Sequence, residues 1–147
     1  MFYSHDRTQL RNTYFSVWDK MQCQHPLSTL EADIANVIDG HTEYHYIFAN
    51  KEHYLDAEYT PQQGTPNPFL HMSLHLALRE QLSTNRPKGI TSLYRKALQK
   101  LGTEHATEHL MMEALSESLW IMQDQQQPIS DNAYLKVIKK HLRKASI

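Results

Sequence analysis

The chain has one cysteine, four glycines and almost no excess of either charge, its formal net charge being −1. Each scarcity excludes something. A lone Cys23 cannot close an intrachain disulfide or supply a four-cysteine zinc site, and such cysteine usage fits the cytosol. So few glycines leave no Gly-rich loop to cradle a phosphate. A near-neutral chain also lacks the basic surface that displaces counterions from a nucleic acid, so no nucleic-acid partner is expected. No apolar run approaches the length of a membrane span. The opening MFYSHDRTQLRN turns polar at once and has no apolar core of a signal peptide; the expectation is a cytoplasmic protein with no membrane contact. The chain contains neither the His-Glu opening of the zinc-protease signature nor any Glu-x-x-His of the di-iron bundles.

What is present reads as helix. At 147 residues, 40% hydrophobic and 21% charged, the chain is sized and composed for one globular domain with its own core. Leu10, Tyr14, Val17, Trp18 and Met21 recur at helical spacing over residues 6–22, and His25-Pro26 interrupts them. Ser28 and Glu31 form a capping-box pattern that starts a second helix at Thr29, with Leu30, Ile34, Val37 and Ile38 as its apolar face and Gly40 as its stop. The aromatic stretch that follows reads as a short helix, Thr42 to Ala49, then a loop. TPQQGTPNP, residues 60–68, reads as an extended loop. Further helices are expected from Asn67 to about Ser83, from Ile90 to Leu101 with Gly102 as stop, from Glu104 to about Gln123 with Thr103 as cap, and from Ser130 onward. No strand pattern competes. The reading is all-α: a single-domain bundle of five or six helices with a central antiparallel core. The basic cluster Lys136, Lys139, Lys140, Arg143 and Lys144 reads as the solvated face of the last helix.

The histidines, ten in all, are the unusual count. In NPFLHMSLHLALREQ, Asn67 caps and Pro68 suits the first helical position. His71 and His75 are then one turn apart, with β-carbons roughly 6 Å from each other. Leu70, Leu74, Leu78 and Leu82 form the expected stripe, with both histidines on its edge. Two imidazoles so placed can share one metal ion, and the ion then needs another ligand from elsewhere. Glu108 falls within the stripe Met111, Met112, Leu115 and Leu119, where a carboxylate is costly unless it is paired or coordinates a cation. His109 lies to one side, and His41 and His45 on the aromatic segment are alternatives. Imidazole donors favour zinc, iron or nickel over magnesium or calcium. The opposing view is structural: core histidines hydrogen-bonded across a helix interface, with Arg79 positioned to pair with Glu108. Cys23 beside His25 reads as a small buried hydrophobe, and Met72, Met111, Met112 and Met122 as core fillers.

NPFLHMSLHLALREQ, EHLMMEALSESLW and LSTLEADIANVIDGHTEYH resemble the signature blocks of an uncharacterised proteobacterial family, domain of unknown function 1841, over residues 27–134. The resemblance emphasises His41, His45, His71, His75, Arg79, Glu80, His109 and Glu113, and it implies no activity. The spacing is also similar to that of metal-binding four-helix families of the damage-inducible thiol-transferase type, at the level of fold alone. Two functions stand from these residues. One is a metal-binding helical protein, with His71 and His75 completed by Glu108, His109, His41 or His45. The other is a non-enzymatic interaction module in which the histidines are structural and the Tyr44–Tyr59 segment meets a protein partner or a second copy.

Overall fold

Local capping chemistry sets most of the helix boundaries. The computed structural model describes residues 2–59 and 67–145. Its elements are α1 (Phe2–Cys23), α2 (Thr29–Asp39), a 3-10 turn (Thr42–Tyr44), α3 (His45–Phe48), α4 (Lys51–Tyr54), α5 (Pro68–Thr84), α6 (Ile90–Leu101), α7 (Glu104–Gln125) and α8 (Asp131–Lys144). Among the described residues the fold is therefore all-helical. The described residues hold eight α-helices where five or six were expected, and two of the eight are single turns. One of these, α4, occupies the stretch read as a loop after Ala49, and residues 60–66 of the expected extended loop lie outside the described residues.

Ser28 caps α2 through the full box: its hydroxyl accepts from the Glu31 N–H, and the Glu31 carboxylate accepts from the Ser28 N–H at 2.9 Å. Asn67 Oδ1 likewise accepts from the N–H groups of Phe69 and Leu70 at 3.0 and 3.2 Å. Thr103 and Ser130 do the same for α7 and α8. Gly102 ends α6 at φ +88°, a left-handed conformation that glycine adopts without a β-carbon penalty, and its N–H closes on the Leu98 carbonyl at 2.8 Å.

The chain divides into two compact units, Met1–Leu76 and Ala77–Ile147, with the boundary inside α5. In the first, α1 packs on α2, and the core gathers Tyr14, Phe15, Val17, Ile34, Val37, Ile38, Ile47, Phe48, Phe69 and Met72. Rings dominate it. Phe15 meets Phe48 at 5.5 Å and Phe69 at 6.0 Å between centroids, and Trp18 stacks on Phe48 at 5.4 Å. In the second, α6, α7 and α8 each touch the other two, around Ile90, Leu93, Ala97, Met111, Met112, Leu115, Tyr134 and Ile138.

Two apolar faces are rotated from their expected positions. On α5 the buried residues are Pro68, Phe69, Met72, His75 and Leu78, while Leu70 is 51% exposed. Phe69 seats in the ring cluster and turns the helix with it, so His75 moves from the edge of the stripe into the buried face. On α7 the buried face is Thr107, Met111, Met112, Ala114, Leu115 and Ser118, and Leu119 is exposed. The hydroxyls of Thr107 and Ser118 make this burial tolerable by donating to the carbonyls of Thr103 and Ala114, one turn back. Leu10 and Leu30, expected on buried faces, are exposed, and Arg11 and Ala35 take inward positions instead.

Candidate metal centre

His41 follows Gly40 at the end of α2 and folds back against its own helix. Its N–H donates to the Ile38 carbonyl at 3.0 Å, and its ring Nδ1 lies 2.7 Å from the Val37 carbonyl. A carbonyl only accepts, so Nδ1 carries the proton. In the neutral ring Nε2 then holds the lone pair. This is the arrangement in which a backbone carbonyl orients a metal-binding imidazole and fixes its tautomer.

His71 and His75 come from consecutive turns of α5. Together with His41 they form a group whose ligand nitrogens, one per residue, all lie within 4.8 Å of one another. His41 and His75 are 4% and 3% exposed, and His71 is half-buried. Ring centroids are 5.2 Å apart for His41 and His71, 4.8 Å for His41 and His75, and 5.3 Å for His71 and His75, with each pair edge to face. Tyr44 lies parallel to His41 at 5.6 Å and edge-on to His71 at 6.0 Å, forming a wall beside both rings. Burial, with Glu43 adding to it, pushes the Tyr44 phenol above its ordinary range and keeps the hydroxyl neutral.

These residues fit a transition ion. Four-coordinate zinc with bonds of about 2.0–2.1 Å holds its donor nitrogens about 3.4 Å apart. The three rings would draw in by on the order of an ångström, a movement that small side-chain rotations supply.

The other candidates are placed differently. His45 Nε2 donates to the Ile38 carbonyl at 2.9 Å, and its ring stands edge-on to Trp18 at 4.9 Å. Glu108 and His109 belong to the second unit. There Glu108 meets Arg79 Nε at 3.4 Å, and His109 Nδ1 donates to the His105 carbonyl at 2.8 Å. Glu80 and Glu113 are exposed, as is Cys23.

Residues 6–140 match the family described as domain of unknown function (DUF1841). The chain belongs to that family. No curated protein and no solved structure matches it. Membership of DUF1841 brings no activity, so the residues carry the functional argument. Among the described residues no helix is long and apolar enough to cross a membrane.

Sequence reasoning missed Arg11. It is 1% exposed, and its Nη1 donates to the carbonyls of Leu55 and Ala57 at 3.0 and 2.8 Å. Its guanidinium also lies 4.8 Å from the Phe69 ring centroid and 5.6 Å from that of Tyr59. Burial lowers its pKa, yet a guanidinium stays charged. Arg11 therefore ties the segment after α4 to α1 and to the start of the histidine helix. The signal was available: Arg11 precedes Tyr14, Phe15 and Trp18 by three, four and seven residues, so it shares their face.

Proposed function

We propose that the chain is a metal-binding helical protein whose first unit holds a divalent transition ion, zinc, iron or nickel, on His41, His71 and His75. One observation carries the reading: three histidines from two separate elements converge with their nitrogens within 4.8 Å, two of them nearly fully buried. A shared ion gives three imidazoles so gathered a common partner, and binding it couples to folding. Imidazole is a donor for zinc, iron and nickel rather than for hard cations. In an enzyme, such an ion acts as a Lewis acid on a bound water or thiol. The scarcity of cysteine supports residence in a reducing, cytoplasmic compartment.

The second reading is a non-enzymatic interaction module, favoured by one observation: Tyr46, beside the histidines in sequence, is 55% exposed and is available to a protein partner. Elemental analysis of untagged protein, purified without chelator, separates the two. Near-stoichiometric metal that disappears in the His71→Ala/His75→Ala variant is the expected result. Metal-free wild-type protein that remains folded overturns the first reading and leaves the second.

A further inference from the structure

We propose that the face shared by α7 and α8 in the second unit binds a single-stranded nucleic acid, with Lys136, Lys139, Arg143 and Lys144 on its phosphates and Trp120 under one of its bases. The inference does not depend on the metal centre.

Charge gives the first argument. The formal −1 of the chain divides unequally between the units: residues 1–76 hold nine carboxylates against four lysines and arginines, a formal −5, and residues 77–147 hold seven against eleven, a formal +4. The near-neutral total therefore contains a basic unit, which has the means to displace counterions that the whole chain lacks. Its cations are gathered. Five of them lie between Lys136 and Lys144, about 12 Å along the axis of α8, with no carboxylate on that helix after Asp131.

The second argument is that this charge faces outward. Tyr134 and Ile138 are the buried residues of α8, and on the opposite side Lys136, Lys139, Arg143 and Lys144 are exposed. Among the described residues Lys140 alone of the five is in an ion pair, with Glu117 at 2.6 Å. The other four are available to phosphate.

Trp120 selects the class. Glu117 meets Lys140 and His141, and Glu113 shares a cleft with His141 and Lys144. The two helices therefore run antiparallel, and their register places Trp120, one turn beyond Glu117, level with Val137 and beside Lys136. Trp120 is 64% exposed. Cations that track a phosphate backbone and an aromatic ring on which a base stacks are the two components of single-strand recognition. An anionic membrane fits less well, because an interfacial helix sinks its apolar face among the headgroups and that face of α8 is already packed inside the unit.

The test is the binding of a fluorescein-labelled oligothymidylate to the whole chain, followed by anisotropy at several salt concentrations. Expected is saturable binding whose log K falls against log salt with a slope of about −3, from four phosphates at about −0.7 each. Lys136→Gln/Lys139→Gln should flatten that slope by about 1.4. Trp120→Ala should weaken binding several-fold at an unchanged slope. Arg86→Gln/Arg95→Gln removes two exposed cations of the same unit that lie outside α7 and α8, and it should bind as wild type. Equal losses in the two charge variants would mean attraction to the unit as a whole and overturn the assignment to α8. A Trp120→Ala chain that binds as wild type overturns the stacking and the preference for a single strand. No binding at low salt, or binding to phosphatidylserine vesicles in place of the oligonucleotide, overturns the nucleic-acid partner.

Discussion

The two units are built from different materials. All aromatic residues except Tyr94, Trp120 and Tyr134 precede Leu76, and in the first unit Tyr14, Phe15, Trp18, Phe48 and Phe69 interlock through directed ring contacts. The second unit fills its interior mainly with isoleucine, leucine, alanine and methionine on α6, α7 and α8, Tyr134 being its one buried ring among the described residues, with ion pairs on its surface. Rings have preferred angles and few rotamers, whereas methionine adapts to the space it is given. A core of rings is therefore the more rigid frame. The buried histidine group lies in the unit so framed, where His41 and His71 are held against Tyr44 and where Phe69 sets the rotation of α5.

The contrast can be broken most directly by one substitution in each core. Phe69 is 1% exposed and contacts Tyr14 and Phe15 at 6.0 Å, Phe48 at 6.5 Å and the Arg11 guanidinium at 4.8 Å. Phe69→Leu removes those directed contacts and leaves a void, for an expected loss of about 2–3 kcal/mol. Met111 is fully buried in the second unit, yet Met111→Leu should cost less than about 1.5 kcal/mol because volume is conserved in an adaptable setting. Urea midpoints followed by far-ultraviolet circular dichroism measure both. Equal losses would remove the distinction between a ring frame and an adaptable core.

Alkaline pH sharpens the comparison from the other side. Tyr134 in the second unit donates to Gln81 Oε1 at 2.8 Å, and burial pushes its pKa from 10.0 up to about 12. The folded state then keeps a proton that the unfolded chain has released. Its contribution is fully present below pH 10.0 and is lost as pH rises towards about 12. The loss is about 2 kcal/mol. Stability measured at intervals across that window should fall less steeply in Tyr134→Phe than in wild type. In the first unit, burial also raises Tyr14, Tyr44 and Tyr59, so a residual slope should survive the substitution. A slope that Tyr134→Phe leaves untouched would assign the alkaline response to the other raised tyrosines, Tyr94 of the second unit among them.

Local chemistry was legible in the sequence and long-range packing was not. Ser28 with Glu31, Asn67, Thr103 and Ser130 announce helix starts because a side-chain oxygen meets an N–H two or three residues away, and Gly102 announces a stop in the same local way. The pairing of His71 with His75 is likewise a property of one helix. Which element approaches that helix is not: the sequence points first to Glu108 on the long helix, with His109, His41 and His45 as alternatives, and the turn after Gly40 is what brings the His41 ring to α5. The rotation of α5 escaped a wheel that scored four leucines together. Hydrophobicity alone does not tell that Phe69 has rings to meet and Leu70 has none. Arg11 is the opposite case, a charge on an apolar face whose position could have been read and whose partners, two backbone carbonyls, could not.

The smallest effect concerns the second unit's surface. Glu117 accepts from Lys140 Nζ at 2.6 Å and lies 3.2 Å from His141 Nε2. The Lys140 hydrogen bond, more than any other influence, holds the Glu117 carboxyl below its ordinary value. The folded pKa is the lower one, so its stabilisation is present above the ordinary carboxylate pKa and is lost as pH falls through the depressed value. Both side chains are partly solvated, at 31% and 40% exposure, so Glu117→Gln should cost no more than about 1 kcal/mol, and added salt should shrink the difference. The first unit has a counterpart in Lys20 and Glu31, where the carboxylate also serves the α2 cap. Glu31→Ala loses the cap hydrogen bond together with the ion pair, whereas Glu117→Gln loses the ion pair alone. Salt should therefore erase more of the Glu117→Gln effect than of a Glu31→Ala effect, because a cap hydrogen bond is not screened as an exposed charge pair is. Equal salt sensitivity in thermal melts of Glu117→Gln and Glu31→Ala would mean that the Glu31 side chain acts through Lys20 alone, and that its half of the capping box contributes nothing measurable to α2.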